Sequence, residues 1–212
     1  MGSGRSVAMA LAGFAAYGLA VRPWLMRWGA SADQVLRQLP GDDLTSNSAW
    51  QSTRAITIDA PPEVVWTQLM RLGQQQDGRG GQGGRSPNAV IQEPRRAGDS
   101  VWLSHLDRRW QTRRYVVALL EPGRAMVLVS PAKAERLTIG DPGGEGSRSL
   151  VVEPIGANAS RLLIRTRAGE NLGLLGWLYA YLVVDPGQFL MERRIMLDIK
   201  AQAEESARTT AT

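Results

Sequence analysis

The chain contains no cysteine and a single histidine, His105. Without thiols there are no disulfides, thiolate nucleophiles or sulfur-ligated zinc, although the compartment stays open, since cysteine-free proteins occur in oxidising and reducing spaces alike. One histidine excludes multi-histidine metal sites, and a catalytic triad would have to be built around His105 alone. Lysine is nearly missing too, occurring only at Lys133 and Lys200, so arginine carries the net charge of +5. No basic cluster is interleaved with aromatic residues as a stacking platform requires, which argues against a nucleic-acid partner. A G-x-S-x-G elbow, a P-loop lysine and dinucleotide glycine spacing between strand and helix are also lacking, and no cofactor is implied.

What is there suits one domain with an appendage: 212 residues, 43% of them hydrophobic, and no internal repeat. The appendage is residues 1–29. Val7–Val21 is free of charge and bounded by Arg5 and Arg22, with Trp24 and Trp28 one turn apart beyond it. Fifteen helical residues reach about 22 Å, short of the roughly 30 Å hydrocarbon core, unless the segment is counted through Trp28 and Arg22 snorkels. Ala8, Ala12, Ala16 and Ala20 form a small-residue stripe that lets a second helix approach closely. Three readings stay open: a membrane anchor, which length and flanks favour; a helix docked on the protein's own domain; and a cleaved signal peptide ending near Ala30-Ser31-Ala32. As an anchor it would place the protein at the cell membrane, with Arg22, Arg27 and Arg37 favouring a cytoplasmic main domain.

Residues 30–49 read as a polar linker with one short helix at Ala32–Leu39. A strand follows at Gln51–Ile58, then a helix opened by Pro61-Pro62-Glu63, with Val65, Leu69 and Leu72 on its apolar face. The glycine-glutamine stretch Gly73–Gly84 reads as a loop. Extended segments are expected at Ala89–Gln92, Ser100–Ser104, Trp110–Leu120, Ala125–Ser130, Arg136–Ile139, Leu150–Ile155 and Arg161–Arg167, separated by turn chemistry. In the last, Leu162 and Ile164 point one way and Arg161, Arg165 and Arg167 the other. Asp185-Pro186-Gly187 punctuates, after a second apolar run at Leu172–Val184. A helix from Gln188 to Ser206 then carries Phe189, Met196, Ile199 and Ala203 on one face, against Glu192, Arg193, Arg194, Asp198 and Lys200. Residues 208–212 are left as a tail.

Four stretches resemble the SRPBCC superfamily, which includes START and polyketide-cyclase proteins. Ile56 through Trp66 looks like its first strand and helix, and Leu120-Glu121-Pro122-Gly123-Arg124-Ala125 like its mid-sheet turn. Val152-Glu153-Pro154 through Arg165-Thr166-Arg167 resembles its final hairpin, and Asp185 through Arg193 the start of its closing helix. The resemblance covers residues 50–207 and implies an α+β helix-grip fold: a curved antiparallel sheet around a long C-terminal helix, with a ligand cavity between them. It implies no single chemistry, since members bind lipids, hormones or polyketides, cyclise them, or act as chaperone cofactors. One departure stands out: the loop at Gly73–Gly84 replaces an aromatic-rich segment that helps close the cavity.

His105, beside Trp102, is the candidate acid or base, against the plainer reading of an exposed turn residue. Arg113, Glu153 and Arg165 are candidates to hold a polar ligand end, against solvated sheet-face charges, a reading the alternation favours for Arg165. Trp66, Trp102 and Trp110 either line a pocket or pack the core. The expected function is therefore binding or carriage of an apolar or amphipathic small molecule or lipid, at a membrane reached through the N-terminal helix. A cyclase or aromatase acting on a polyketide-like substrate and an interaction module with a collapsed cavity are the alternatives.

Overall fold

A period of two along the strands and a helical repeat at the chain's end set the architecture. The structure, a computed structural model, describes residues 6, 9, 12–45, 48, 50–72, 96–101, 103, 114–138, 146–169 and 173–210. Residues 12–26 form helix α1, whose middle is a π turn at Tyr17–Val21, and α2 is Ala32–Leu36. Strand β1 (Trp50–Ile58) leads into α3 (Pro62–Met70). Then come β2 (Ser100–Val101), β3 (Tyr115–Glu121), β4 (Ala125–Val129), α4 (Pro131–Thr138), β5 (Ser147–Pro154) and β6 (Ser160–Ala168). The last helix, α5, is continuous over residues 173–210, made of Gly173–Tyr179, a π turn at Ala180–Val184 and Asp185–Thr210.

The six strands form one antiparallel sheet in the order β1-β6-β5-β4-β3-β2. A bulge between Val117 and Leu119 shifts the β3–β4 register, a device that bends a strand. On the inner face, Ile58, Met126, Leu128, Leu150, Val152, Leu162 and Ile164 meet Ile195, Met196, Ile199 and Ala203 of α5 and Val65 and Leu69 of α3. The architecture is thus α+β, an antiparallel sheet gripping a long C-terminal helix, with Leu162 and Ile164 turned toward the closing helix.

The outer face departs from expectation. Residues 30–45, whose composition reads as a linker, lie across it and cover a second apolar cluster of Leu39, Ala55, Ala125, Val151 and Leu163. Leu163, the exception to the alternation, is explained by that cover. Arg165 is buried, not a solvated charge: its Nη1 donates to Asp42 Oδ2 (2.6 Å) and the Arg37 carbonyl, its Nη2 to the carbonyls of Gln34 and Val35, and its Nε to Thr53 Oγ1. Buried Lys133 donates to Thr45 Oγ1, and Ser149 to the Pro40 carbonyl. Two glycines permit the close fit. At Gly29 (φ +71°) a Cβ would lie 2.1 Å from the Ala55 carbonyl oxygen, and at Gly41 (φ +86°) 2.5 Å from Val127 Cγ1.

Two elements differ in type. Arg136–Ile139, expected as a strand, falls largely in α4, which Pro131 opens and where Ser130 Oγ accepts from the Lys133 N–H. Asp185-Pro186-Gly187 does not interrupt α5. Proline removes a donor and crowds the preceding turn, and here the preceding turn is a wider π turn in which the Asp185 N–H reaches the Ala180 carbonyl. The same device precedes Pro23, where the Arg22 N–H reaches the Tyr17 carbonyl.

Candidate functional site

The inner face carries charge at positions where the strand and helix periods call for apolar residues. Arg54 precedes Ile56 by two in β1, Arg148 precedes Leu150 by two in β5, and Glu192 lies one turn before Met196 in α5, so all three side chains turn inward. Arg54 and Glu192 are fully buried and Arg148 nearly so. Arg54 Nη1 donates to Glu192 Oε2 and to Ser52 Oγ, and its Nε donates to the Leu25 carbonyl at 2.8 Å. Arg148 Nη2 lies 3.3 Å from Glu192 Oε1, and its Nε and Nη1 donate to Thr166 Oγ1 and Tyr115 Oη. Gln188 and Thr166 also donate to Glu192 Oε1, at 3.0 and 2.8 Å. Glu192, assigned by the sequence to the polar side of the last helix, is thus at the centre of the interior.

Burial alone would push the Glu192 carboxyl up. The guanidiniums of Arg148 and Arg54, with the hydrogen bonds from Gln188 and Thr166, outweigh it and hold the group below the ordinary carboxylate range. A carboxyl that is harder to protonate folded than unfolded stabilises the fold above its unfolded pKa, about 4.3, and that contribution is lost as pH falls through the lower folded value. The urea midpoint is therefore expected to hold between pH 7 and about 5 and to fall below about pH 4.3. Glu192→Gln should show a shallower acid limb. A wild-type midpoint that stays flat into strong acid would contradict an ionised, paired Glu192.

One donor in the cluster is left over: Arg54 Nη2 is buried and has no hydrogen-bond partner. The guanidinium carbon lies 5.6 Å from the Phe189 ring centroid, and Phe189 packs in turn on Trp24 and Trp28. The unsatisfied N–H therefore belongs to a guanidinium held where α1 reaches the sheet.

Of the residues singled out from the sequence, Trp66 and Glu153 lie on opposite faces of the sheet. Trp66 is half-buried and packs against the inner core. Glu153 lies on the opposite, outer face, where Arg37 Nη2 donates to both its oxygens at 2.6 and 2.7 Å. Trp102, His105, Trp110 and Arg113 lie outside the described residues, as do Gly73–Gly84 and Ala89–Gln92. A polar cleft of about 310 Å³ opens on the outer face beside Arg37, Asp42, Gln51, Arg165 and Arg167. Arg165 spends its donors on the chain that covers the sheet, so the cleft is bordered by structural bonds.

A second feature flanks the grip. α1 packs parallel to residues 173–189: Phe14 stacks on the Tyr181 ring, Tyr17 meets it edge to face, Tyr17 Oη donates to the Tyr181 carbonyl at 2.8 Å, and Trp24 meets Phe189. Arg22 pairs with buried Asp185 at 2.8 Å, and the Trp50 indole donates to the same carboxylate. The two apolar runs of the sequence are therefore joined, but not through alanine. Ala12, Ala16 and Ala20 are exposed, and the close approach is at Gly18, where a Cβ would sit 2.3 Å from Tyr181 Oη. Among the described residues no helix is long and apolar enough to cross a membrane.

No protein-family model matches the chain, and no curated protein matches it. Among solved structures it is similar to the di-domain ARO/CYC BexL from the BE-7585A biosynthetic pathway (14% identity, TM-score 0.43), with 73% of this chain aligned to 46% of that one. It is also similar to protein MLL2253 from Mesorhizobium loti (10%, TM-score 0.43, 74% and 98% covered). A START superfamily protein from Mycobacterium smegmatis is similar too (11%, TM-score 0.39, 76% and 98%). The chain spans about half the length of the first. At these identities no ligand and no residue role is carried across.

Proposed function

We propose that the protein is a binding module for an amphipathic molecule, with the ligand's anionic end held by Arg54 inside the grip and its apolar body between sheet and α5. The reading rests on one observation: Arg54 Nη2, a fully buried cationic donor without a partner, beside a carboxylate already committed to other bonds. A buried N–H of this kind costs about 1–3 kcal/mol when unmet, and a carboxylate or phosphate oxygen answers it with a charge-assisted bond. Carriage is favoured over cyclase-type catalysis by the state of the cluster. Glu192 is held ionised and guanidinium does not titrate in proteins, so neither is poised to exchange a proton near neutral pH.

The test is displacement of a fluorescent long-chain fatty acid from protein purified without detergent. Palmitate is expected to compete about tenfold better than hexadecanol, the difference one charge-assisted bond makes. In Arg54→Met/Arg148→Met/Glu192→Leu, which removes all three charges of the cluster, that preference should vanish. Equal competition by acid and alcohol would remove Arg54 as the headgroup site. No displacement by either, with no ligand retained in native mass spectrometry, would leave the interaction module with a filled interior.

A further inference from the structure

The paired helices bury a seam and leave the rest of their surface apolar and uncovered. Leu174, Leu175 and Leu19 are 78%, 82% and 83% exposed, and Trp24, Trp177, Tyr179, Leu182 and Val183 are exposed beside them. Leu174 with Leu175, and Leu182 with Val183, are consecutive residues about 100° apart around the helix, so the apolar surface is no single stripe. A protein groove takes one stripe of a helix, whereas a helix that is apolar round most of its circumference matches a surrounding apolar medium. Charge points the same way. Residues 1–32 contain Arg5, Arg22 and Arg27 and no acidic residue, and 171–184 contain no charge at all. At the base of the pair Arg27 is exposed, and exposed Arg193 stacks over the Trp28 ring at 5.4 Å. Trp24 and Trp28, at the same end as Arg27 and Arg193, are of the type that settles at the headgroup level.

We infer that α1 and residues 173–184 together form a membrane-docking unit that enters one leaflet of an anionic phospholipid bilayer, with Arg27 and Arg193 at the phosphates. Twelve helical residues from 173 to 184 reach about 18 Å, enough to enter a leaflet and short of the roughly 30 Å core. The asymmetry of charge selects the anionic bilayer, since a basic rim on an apolar unit gains from a negative surface. The inference stands independently of the ligand assigned to Arg54.

Flotation of the full-length protein with vesicles tests it, using phosphatidylcholine alone and phosphatidylcholine with phosphatidylglycerol. The protein should float with the mixed vesicles and at least about tenfold less with the neutral ones. Leu174→Glu/Leu175→Glu changes two exposed side chains, so its thermal midpoint should match wild type while flotation is lost. Arg27→Gln/Arg193→Gln should keep the fold and lose the preference for the anionic vesicles. Failure to float on either composition would overturn the inference, as would flotation indifferent to the Leu174 and Leu175 changes. So would a dimer in light scattering that the glutamates dissociate while vesicles bind nothing, because the occupant would then be a second copy.

Discussion

Replacing Glu192 with alanine is expected to destabilise the protein by about 3–5 kcal/mol, the cost of breaking a buried ion pair by removing one partner. With a total stability on the order of 5–15 kcal/mol for a domain, that is a large fraction of the whole. The size follows from what is left behind. Arg54 and Arg148 stay between sheet and helix without their shared carboxylate, and Gln188 and Thr166 lose their acceptor. The complementary variant separates the cost of breaking the cluster from its net worth. Arg54→Met, Arg148→Met and Glu192→Leu together put apolar side chains of similar volume in one interior, and such replacements are often neutral or stabilising. Guanidinium chloride titrations followed by far-ultraviolet circular dichroism should therefore order the proteins: the alanine variant well below wild type, the triple variant near it. If the triple variant is as stable as wild type yet no longer prefers palmitate to hexadecanol, the charges are kept for binding rather than for stability. A wild-type midpoint for Glu192→Ala would mean that water reaches the cluster.

The order of elements was legible because each inner-face strand carries its own alternation and the last helix its own stripe. Leu162 and Ile164 read correctly for that reason, and so did Met196 and Ile199. The interior cluster was legible in principle. Arg54 and Arg148 each stand two residues before an inward apolar residue, and Glu192 falls between Phe189 and Met196 on the stripe's own three-and-four spacing. Charge at an apolar-period position marks three side chains that bond one another in the interior. The outer cover was harder to see. Residues 30–45 contribute Leu39 to the cluster they cover and are held mainly by ion pairs and carbonyl bonds to Arg165, Arg167 and Lys133, contacts with no sequence period. Arg165 therefore looked like a solvated charge. At Asp185-Pro186-Gly187 the local rule for proline was sound, and a π turn one residue earlier met its demand.

Exchanging Ile199 for aspartate is expected to unfold the domain, at a cost of at least about 4 kcal/mol, because a carboxylate would enter the core without a partner. Ile199 is buried among Ile195, Met196 and Ala203 and lies in the cluster that includes Leu162 and Ile164 of β6 and Leu69 of α3, so there is no route by which the new charge reaches water. Its chain neighbour supplies the contrast. Asp198 is exposed and makes only a loose pair with Arg194 at 3.9 Å, so Asp198→Ala should shift the thermal midpoint by little, within about 0.5 kcal/mol of wild type. Ile199→Ala should fall between them, at about 2–5 kcal/mol, since it leaves a cavity but buries no charge. Adjacent positions with such unequal costs are what a helix gripped on one side requires. If Ile199→Asp melts with wild type, the closing helix must present another face to the sheet, and the placement of Glu192, about two turns further back on the same side, would fall with it.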